Sequence, residues 1–309
     1  MIESRNDQSI GFPSPVFELE ASVPTAARRS ALSRLFQRIG DISTIPAAAL
    51  RLAQLPADED TQAKQLREIL ESDPALAARV LRRVNSSFYG LRCRVADLRT
   101  AINLLGLVEV KNLTFTVLVA KLYQVPGRYR QYSRVALWRH SLGVGVAARR
   151  LSYLVPDCAA DEAYLAGLLH DLGFILLDQH LRKQFCRVIE GISVERPTSA
   201  VEREILSFDH AQLGAFVAEQ WRFPTQIRDA IGYHHEPMRY RGPQRGLIHV
   251  VSLADYLSAR YLVPSLGVMN TPCPGEQLFA DLGLNPEGLD SLVDELAIHW
   301  KEAESLAQL

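Results

Sequence analysis

The stretch AGLLHDLGFILLDQH, residues 166–180, sets a His-Asp pair, His170 and Asp171, inside an otherwise apolar segment. Leu165, Leu168, Leu169, Leu172, Ile175 and Leu176 recur at i, i+3, i+4 spacing, which predicts one apolar helix face with the pair on or beside a buried surface. A carboxylate taken out of water costs several kcal/mol unless it is paired, so Asp171 requires hydrogen-bond donors or a cation. Two readings follow: a hydrogen-bonded polar corner of a buried helix, or part of a metal site.

The rest of the composition narrows the class. Among 309 residues, 48% are hydrophobic, enough for a sizeable core, and 34 Lys and Arg stand against 35 Asp and Glu. A net charge of −1 gives no general attraction to nucleic acid or anionic lipid. Cys93, Cys158, Cys186 and Cys273 form no C-x-x-C pair, which argues against a zinc ribbon and a disulfide framework. They read as thiols of a cytoplasmic protein. No basic-then-apolar leader opens the chain, and no run approaches the ~20 apolar residues of a membrane span.

Along the chain, residues 1–26 carry Pro13, Pro15 and Pro24 with little periodicity and read as an extended leader. A first helical lobe is expected over 27–123. Within it, Asp73 caps a helix opened by Pro74, with Leu76, Val80 and Val84 on one face; Asp97 caps the next, which Gly106 ends in a left-handed conformation. In NSSFYG, residues 85–90, Asn85 and the serines are expected to satisfy the last turn while Gly90 redirects the chain. QVPGRYRQY, residues 124–132, is the clearest internal break, and a second helical lobe is expected over 124–262. A loop and a final helix, capped by Asn285 and opened by Pro286, complete 263–309. The fold class is therefore all-α and two-lobed, with no convincing strand pattern.

The histidines of the second lobe fall at landmarks. His140 lies in LWRHS, His210 follows a capping Asp209, His234 and His235 end a helix before Pro237, and Asp255 sits inside the next helix. Imidazoles and carboxylates drawn from several helices are what a divalent-metal site in a helical protein requires. Each histidine taken alone is more often a hydrogen-bonded residue than a ligand.

The order His140, His170-Asp171, Asp255 resembles the H…HD…D signature of the HD superfamily of metal-dependent phosphohydrolases, an all-helical fold. AYLAGLLHDLG (163–173), DHAQLGAFVAEQWRFPTQIRDAIGYHHEP (209–237), DPALAARVLRRVNSSFYG (73–90) and AINLLG (101–106) together resemble the HDOD family, the HD-related output domain of bacterial signalling proteins, from about Asp41 to Leu262. The related HD-GYP family hydrolyses cyclic di-GMP. Against that family His140, His170, Asp171, His210, His234, His235 and Asp255 stand where metal ligands do, with Asp171 as a bridge between two ions. The resemblance implies one or two divalent ions, Fe, Mn, Mg or Zn. It also shows gaps. Phe174 replaces the lysine of H-D-[IL]-G-K, HHEPMRYRGPQ (234–244) lacks the G-Y-P element, and Ala136 stands where some members place a third-metal glutamate. Arg139 and Arg241 are other cations near these motifs, but nothing in the sequence sets them over the site.

The resemblance favours a regulatory signalling module that binds protein partners (a kinase, response regulator or cyclase) and a small nucleotide or other ligand, without cyclic di-GMP hydrolysis. The competing reading is a metal-dependent phosphohydrolase using His140, His170, Asp171 and Asp255, with Asp171 at the centre of catalysis. A nucleic-acid-binding regulator is a distant third. Arg79, Arg82 and Arg83, with RYRQYSR (128–134) and RYRGPQR (239–245), interleave arginine with tyrosine, yet in a neutral chain they read first as solvated faces.

Overall fold

A computed structural model describes residues 32–33, 46–55, 58–86, 89–124, 127–156, 158–285 and 289–307. The leader expected at 1–26 and the start of the first lobe lie outside these residues.

The helices before the 124–132 break begin with α1 (Ala47–Ala53), α2 (Glu59–Glu71) and α3 (Pro74–Val84). Asp73 accepts from the Leu76 amide at 2.9 Å, and Leu76, Val80 and Val84 are buried on the face the spacing predicts. Asn85 does more than end α3. Its Nδ2 donates to the carbonyls of Leu81 at 2.7 Å and Val95 at 2.8 Å, and its Oδ1 accepts from the Val95 amide at 2.7 Å. One side chain thus closes a helix and clamps the segment ten residues on. Ser87 and Phe88 lie outside the described residues; Gly90 turns the chain at φ +54°.

Asp97 caps α4 (Leu98–Leu105) through the Thr100 amide at 2.8 Å. Gly106 has positive φ, +85°, but ψ is 158°, so the expected left-handed stop is instead an extended glycine corner that leads straight into α5 (Leu107–Ala120) at 119°. From Asn112 to Ala120 α5 is buried on every face, against the helices of its own lobe and against the second lobe. No single described helix is long and apolar enough to cross a membrane.

The break at 124–132 holds structure that the sequence reading lacks. β1 (Arg128–Tyr129) and β2 (Tyr132–Ser133) form an antiparallel hairpin, with Pro126 outside the described residues. Its anchor is the buried Asp178, which accepts from the Tyr132 hydroxyl at 3.0 Å and from Arg134 Nε at 2.5 Å.

The helices after the hairpin are α6 (Arg134–Ser152), α7 (Ala160–Leu169), α8 (Leu172–His180), α9 (Arg182–Gly191), α10 (Thr198–Leu206), α11 (His210–Gln220), α12 (Thr225–Tyr233), a 3₁₀ turn (Pro237–Arg239) and α13 (Arg245–Tyr261). Helices α6 and α7 meet backbone to backbone: a Cβ on Gly167 would stand 2.8 Å from the Val144 carbonyl and 2.9 Å from Gly145 Cα. The single helix expected through residues 165–176 is two helices, interrupted at His170 and Asp171, where Asp171 turns to φ −97°, ψ 15°. The apolar run continues across the break because both helices are buried on nearly every face, α8 over seven successive residues from Leu172 to Asp178. After α13 come α14 (Glu276–Asp281) and α15 (Leu289–Ala307), the latter tied to α6 by Trp300 Nε1 donating to the Gly143 carbonyl at 3.0 Å. Residues 286–288 lie outside the description, and with them the Pro286 opening of the last helix.

Two variants test this frame. Asn85→Ala removes three hydrogen bonds of the α3 corner and is expected to lower stability by about 1–3 kcal/mol in urea denaturation. Gly173→Ala drives a methyl group into the His210 carbonyl, forcing α8 from α11, and is expected to cost at least about 1–3 kcal/mol, read as a lower melting temperature.

Candidate metal centre

Helix ends build this site. His170 closes α7, Asp171 precedes α8, His210 opens α11, and His234 closes α12 with His235 just beyond; His140 and Asp255 project from inside α6 and α13. Asp171 caps no amide with its side chain, although it sits at the positive end of α8; its carboxylate turns to the histidines instead. His210 is placed by a capping box in which Asp209 accepts from the Gln212 amide at 2.8 Å.

All seven residues selected from the sequence meet in one cluster. Ligand-capable atoms of His140, His170 and Asp255 lie within 4.8 Å of one another, as do those of Asp171, His210, His234 and His235. Asp171 joins the two groups. Its Oδ2 lies 3.2 Å from His170 Nε2 and 3.6 Å from His140 Nε2, while its Oδ1 lies 3.3 Å from His210 Nε2 and 3.8 Å from His234 Nε2. Asp255 faces His140 Nε2 at 3.1 Å and His235 Nδ1 at 3.8 Å. His235, partly exposed, is the cluster's contact with solvent.

The outer nitrogens explain the aim of the inner ones. Nδ1 of His140, His170 and His234 bonds to the carbonyls of Val263 (2.8 Å), Gly167 (2.7 Å) and Ile231 (2.7 Å). A carbonyl accepts only, so Nδ1 carries the proton in each neutral ring and Nε2 presents a lone pair inward. These three Nε2 atoms are buried without a well-aligned hydrogen-bond partner. Lone pairs aimed at carboxylate oxygens repel unless a proton or a cation lies between them. The donor set therefore fits a divalent ion.

The electrostatics agree. Burial opposes charge on Asp171, but the imidazoles of His170 and His210 outweigh it and hold the carboxyl well below its ordinary range. Burial followed by the neighbouring His170 and His210 pushes His234 down to about 4, and burial with His234 and His210 pushes His235 down as well. Both rings are thus neutral and have a lone pair to give near pH 7.

Two residues, Glu202 and Arg239, are not picked out as site residues by the sequence reading. Glu202 on α10 is fully buried; its Oε2 accepts from the His210 amide at 3.1 Å and stands 2.6 Å from His210 Nδ1. Burial lowers the His210 pKa, yet Glu202 and Asp171 outweigh it and raise the ring well above the ordinary imidazole value. Glu202 lies in TSAVEREIL, a helix with no motif, so its only sequence signal is an acid at a core position of the apolar period. Arg239 lines a cavity of about 490 Å³ that opens on His234, His235 and Asp255, and it donates to Glu236 at 2.8 Å. Phe174 is buried and stacks on the His210 ring, centroids 3.8 Å apart. The other arginines are engaged elsewhere, Arg139 with Glu304 on α15 and Arg241 with the Met238 and Tyr240 carbonyls.

The HDOD domain matches residues 42–237 of the chain, through both lobes and as far as the paired histidines. The chain belongs to the HDOD family. It is similar to a protein of Treponema pallidum (strain Nichols), 27% identical over 228 residues, which are 73% of this chain and 43% of that one. It thus spans less than half of that curated relative. In structure it is similar to a protein assigned to signal transduction from Marinobacter aquaeolei VT8, with TM-score 0.76 and 26% identity over 91% of this chain and 65% of that one. An HDOD domain protein of Geobacter sulfurreducens aligns with TM-score 0.68 and 25% identity over 88% and 99% of the two chains.

For this HDOD chain the Glu202–His210 contact is open to a direct test. Glu202→Ala leaves the buried amide and ring nitrogen of His210 without an acceptor and is expected to cost about 1–3 kcal/mol in chemical denaturation. Glu202→Gln retains an acceptor oxygen and is expected to recover most of that loss.

Proposed function

We propose that this chain is a regulatory signal-transduction module of HDOD type, whose cluster holds one or two divalent cations and which does not hydrolyse cyclic di-GMP. The convergence of three unpartnered Nε2 lone pairs on Asp171 and Asp255 carries the metal half of this reading. His140, His170 and Asp255 would hold one ion, and His210, His234 and His235 another, with one oxygen of Asp171 turned to each. Imidazole and carboxylate together suit Fe, Mn or Zn, with Mg the poorest match to so much nitrogen. When bound, such an ion supplies Lewis acidity and offsets the buried carboxylates.

The regulatory half is supported by what surrounds the cluster. A phosphodiester needs cationic side chains aimed at its oxygens. Phe174, at the position of the HD-GYP family's phosphate-binding lysine, is packed against His210, and Arg239 at the cavity mouth is already paired with Glu236. In this reading the first lobe, 27–123, and the second, 124–262, are units of one output module, with 263–309 appended. Its partners are signalling proteins such as a kinase, response regulator or cyclase, a role in keeping with the Marinobacter relative's assignment. The phosphohydrolase reading draws on one feature, the cavity of about 490 Å³ that reaches His234, His235 and Asp255.

Metal content separates these outcomes. Protein purified from metal-supplemented culture is expected to carry one or two ions per chain by elemental analysis, and Asp171→Ala none; wild type that never holds metal overturns the proposal. Glu202→Gln is expected to weaken metal binding by about 10–100-fold, because it perturbs the ring that presents His210 Nε2. With Mn²⁺ or Fe²⁺ supplied, no cyclic di-GMP turnover is expected. Turnover that disappears in Asp171→Ala would establish the phosphohydrolase instead.

A further inference from the structure

The first lobe carries charge that the histidine cluster does not use. Between Pro74 and Gly106 the chain has six arginines, Arg79, Arg82, Arg83, Arg92, Arg94 and Arg99, against a single acid, Asp97, in a protein whose total is −1. Sequence divides them between a helix and the segment after it. The fold brings the two groups together, because the Asn85 clamp on Val95 draws residues 91–96 back alongside α3. A groove of about 950 Å³ lies between them.

Its walls have two chemistries. Arg82, Arg92 and Arg94 are exposed along it, while Leu81, Leu91 and Val95 lie deeper, half-buried or buried. Among the described residues no acid lines the groove. Asp97, next along the chain, is engaged in capping α4 through the amide and hydroxyl of Thr100, both at 2.8 Å. Elsewhere arginines find carboxylates: Arg149 with Glu109, Arg196 with Glu204, Arg203 with Asp209, Arg245 with Asp281. Among the described residues none does so for Arg82, Arg92 or Arg94.

We infer that this groove is a docking surface for an acidic, amphipathic segment of a partner protein. Guanidinium forks bind carboxylates in two-point fashion, and an apolar floor beneath them takes the other face of a helix whose leucines recur at i, i+3, i+4. Nucleic acid fits less well, since its backbone has no use for the floor and, among the described residues, no aromatic ring lines the groove to stack a base. The inference stands on the first lobe alone and does not depend on the metal reading.

The test is fluorescence anisotropy on the full chain with a labelled synthetic peptide of glutamate and leucine at helical spacing. Binding that weakens with added salt is expected, and the triple variant Arg82→Glu/Arg92→Glu/Arg94→Glu is expected to lose it by about tenfold or more. Leu91→Ser, which leaves every charge in place, is expected to weaken it too. Should the triple variant unfold, shown by its circular dichroism, Arg92→Ala/Arg94→Ala in the exposed segment replaces it, with a smaller loss of the same sign expected. No binding by wild type, or equal binding by the folded variants, overturns the inference. So does a single-stranded oligonucleotide of equal charge that binds more tightly than the peptide and displaces it, which would make the groove a nucleic-acid site.

Discussion

Asp171 is shut away from water with its two oxygens turned to different imidazoles, and the second lobe is arranged around making that tolerable. A carboxylate in such a place draws positive charge from every direction. Three helix ends, those of α7, α11 and α12, bring imidazoles to it, because a helix terminus lets a side chain leave the cylinder and the main chain change direction. The tight glycine contacts follow from the same demand. Only where Gly145 and Gly167 let α6 and α7 touch, and where Gly173 lets α8 approach the His210 carbonyl, do the rings come close enough to share one carboxylate.

The same physics separates the two lobes. The second gathers buried polar groups around the cluster and leaves three ring nitrogens without a well-aligned partner, whereas the first keeps a largely apolar core and carries much of its charge outside. Helix α5, buried over nine successive residues from Asn112 to Ala120, joins them. Its threonines return their hydroxyls to their own helix, Thr114 to the Val110 carbonyl at 2.6 Å and Thr116 to that of Asn112 at 2.8 Å, so these two hydroxyls lie in the contact with their hydrogen bonds met. Thr116 also meets the Tyr164 hydroxyl of α7 at 2.7 Å, a direct polar link between the lobes.

Much of this was legible in the sequence, and the exceptions share a cause. Asp73, Asp97 and Asp209 announce helix starts through local chemistry, and all three cap as read. The seven cluster residues were found through an ordered resemblance, not through spacing, which had left each histidine ambiguous. What was missed depends on contacts far apart in sequence. The interruption at His170 is invisible to periodicity, because helices buried on nearly every face give one apolar run with no mark at the joint. The hairpin at Arg128 to Ser133 is too short to show alternation and is held by Asp178, 45 residues beyond Ser133. Glu202 and Arg239 become meaningful only when α10 and the 3₁₀ turn are laid against the site. Arg92 and Arg94 gain a context only through Asn85.

The supports of the four buried rings differ in how they can be inherited. His140, His170 and His234 lean on main-chain carbonyls, which persist whatever side chain is encoded at Val263, Gly167 or Ile231, provided the backbone keeps its path. His210 leans on a carboxylate, which a single codon change can delete. The cluster is therefore unevenly exposed to mutational drift. Position 202 is where a lineage can detach one ring while its histidine stays in the gene, so a set of seven unchanged ligand-type residues does not guarantee an unchanged site.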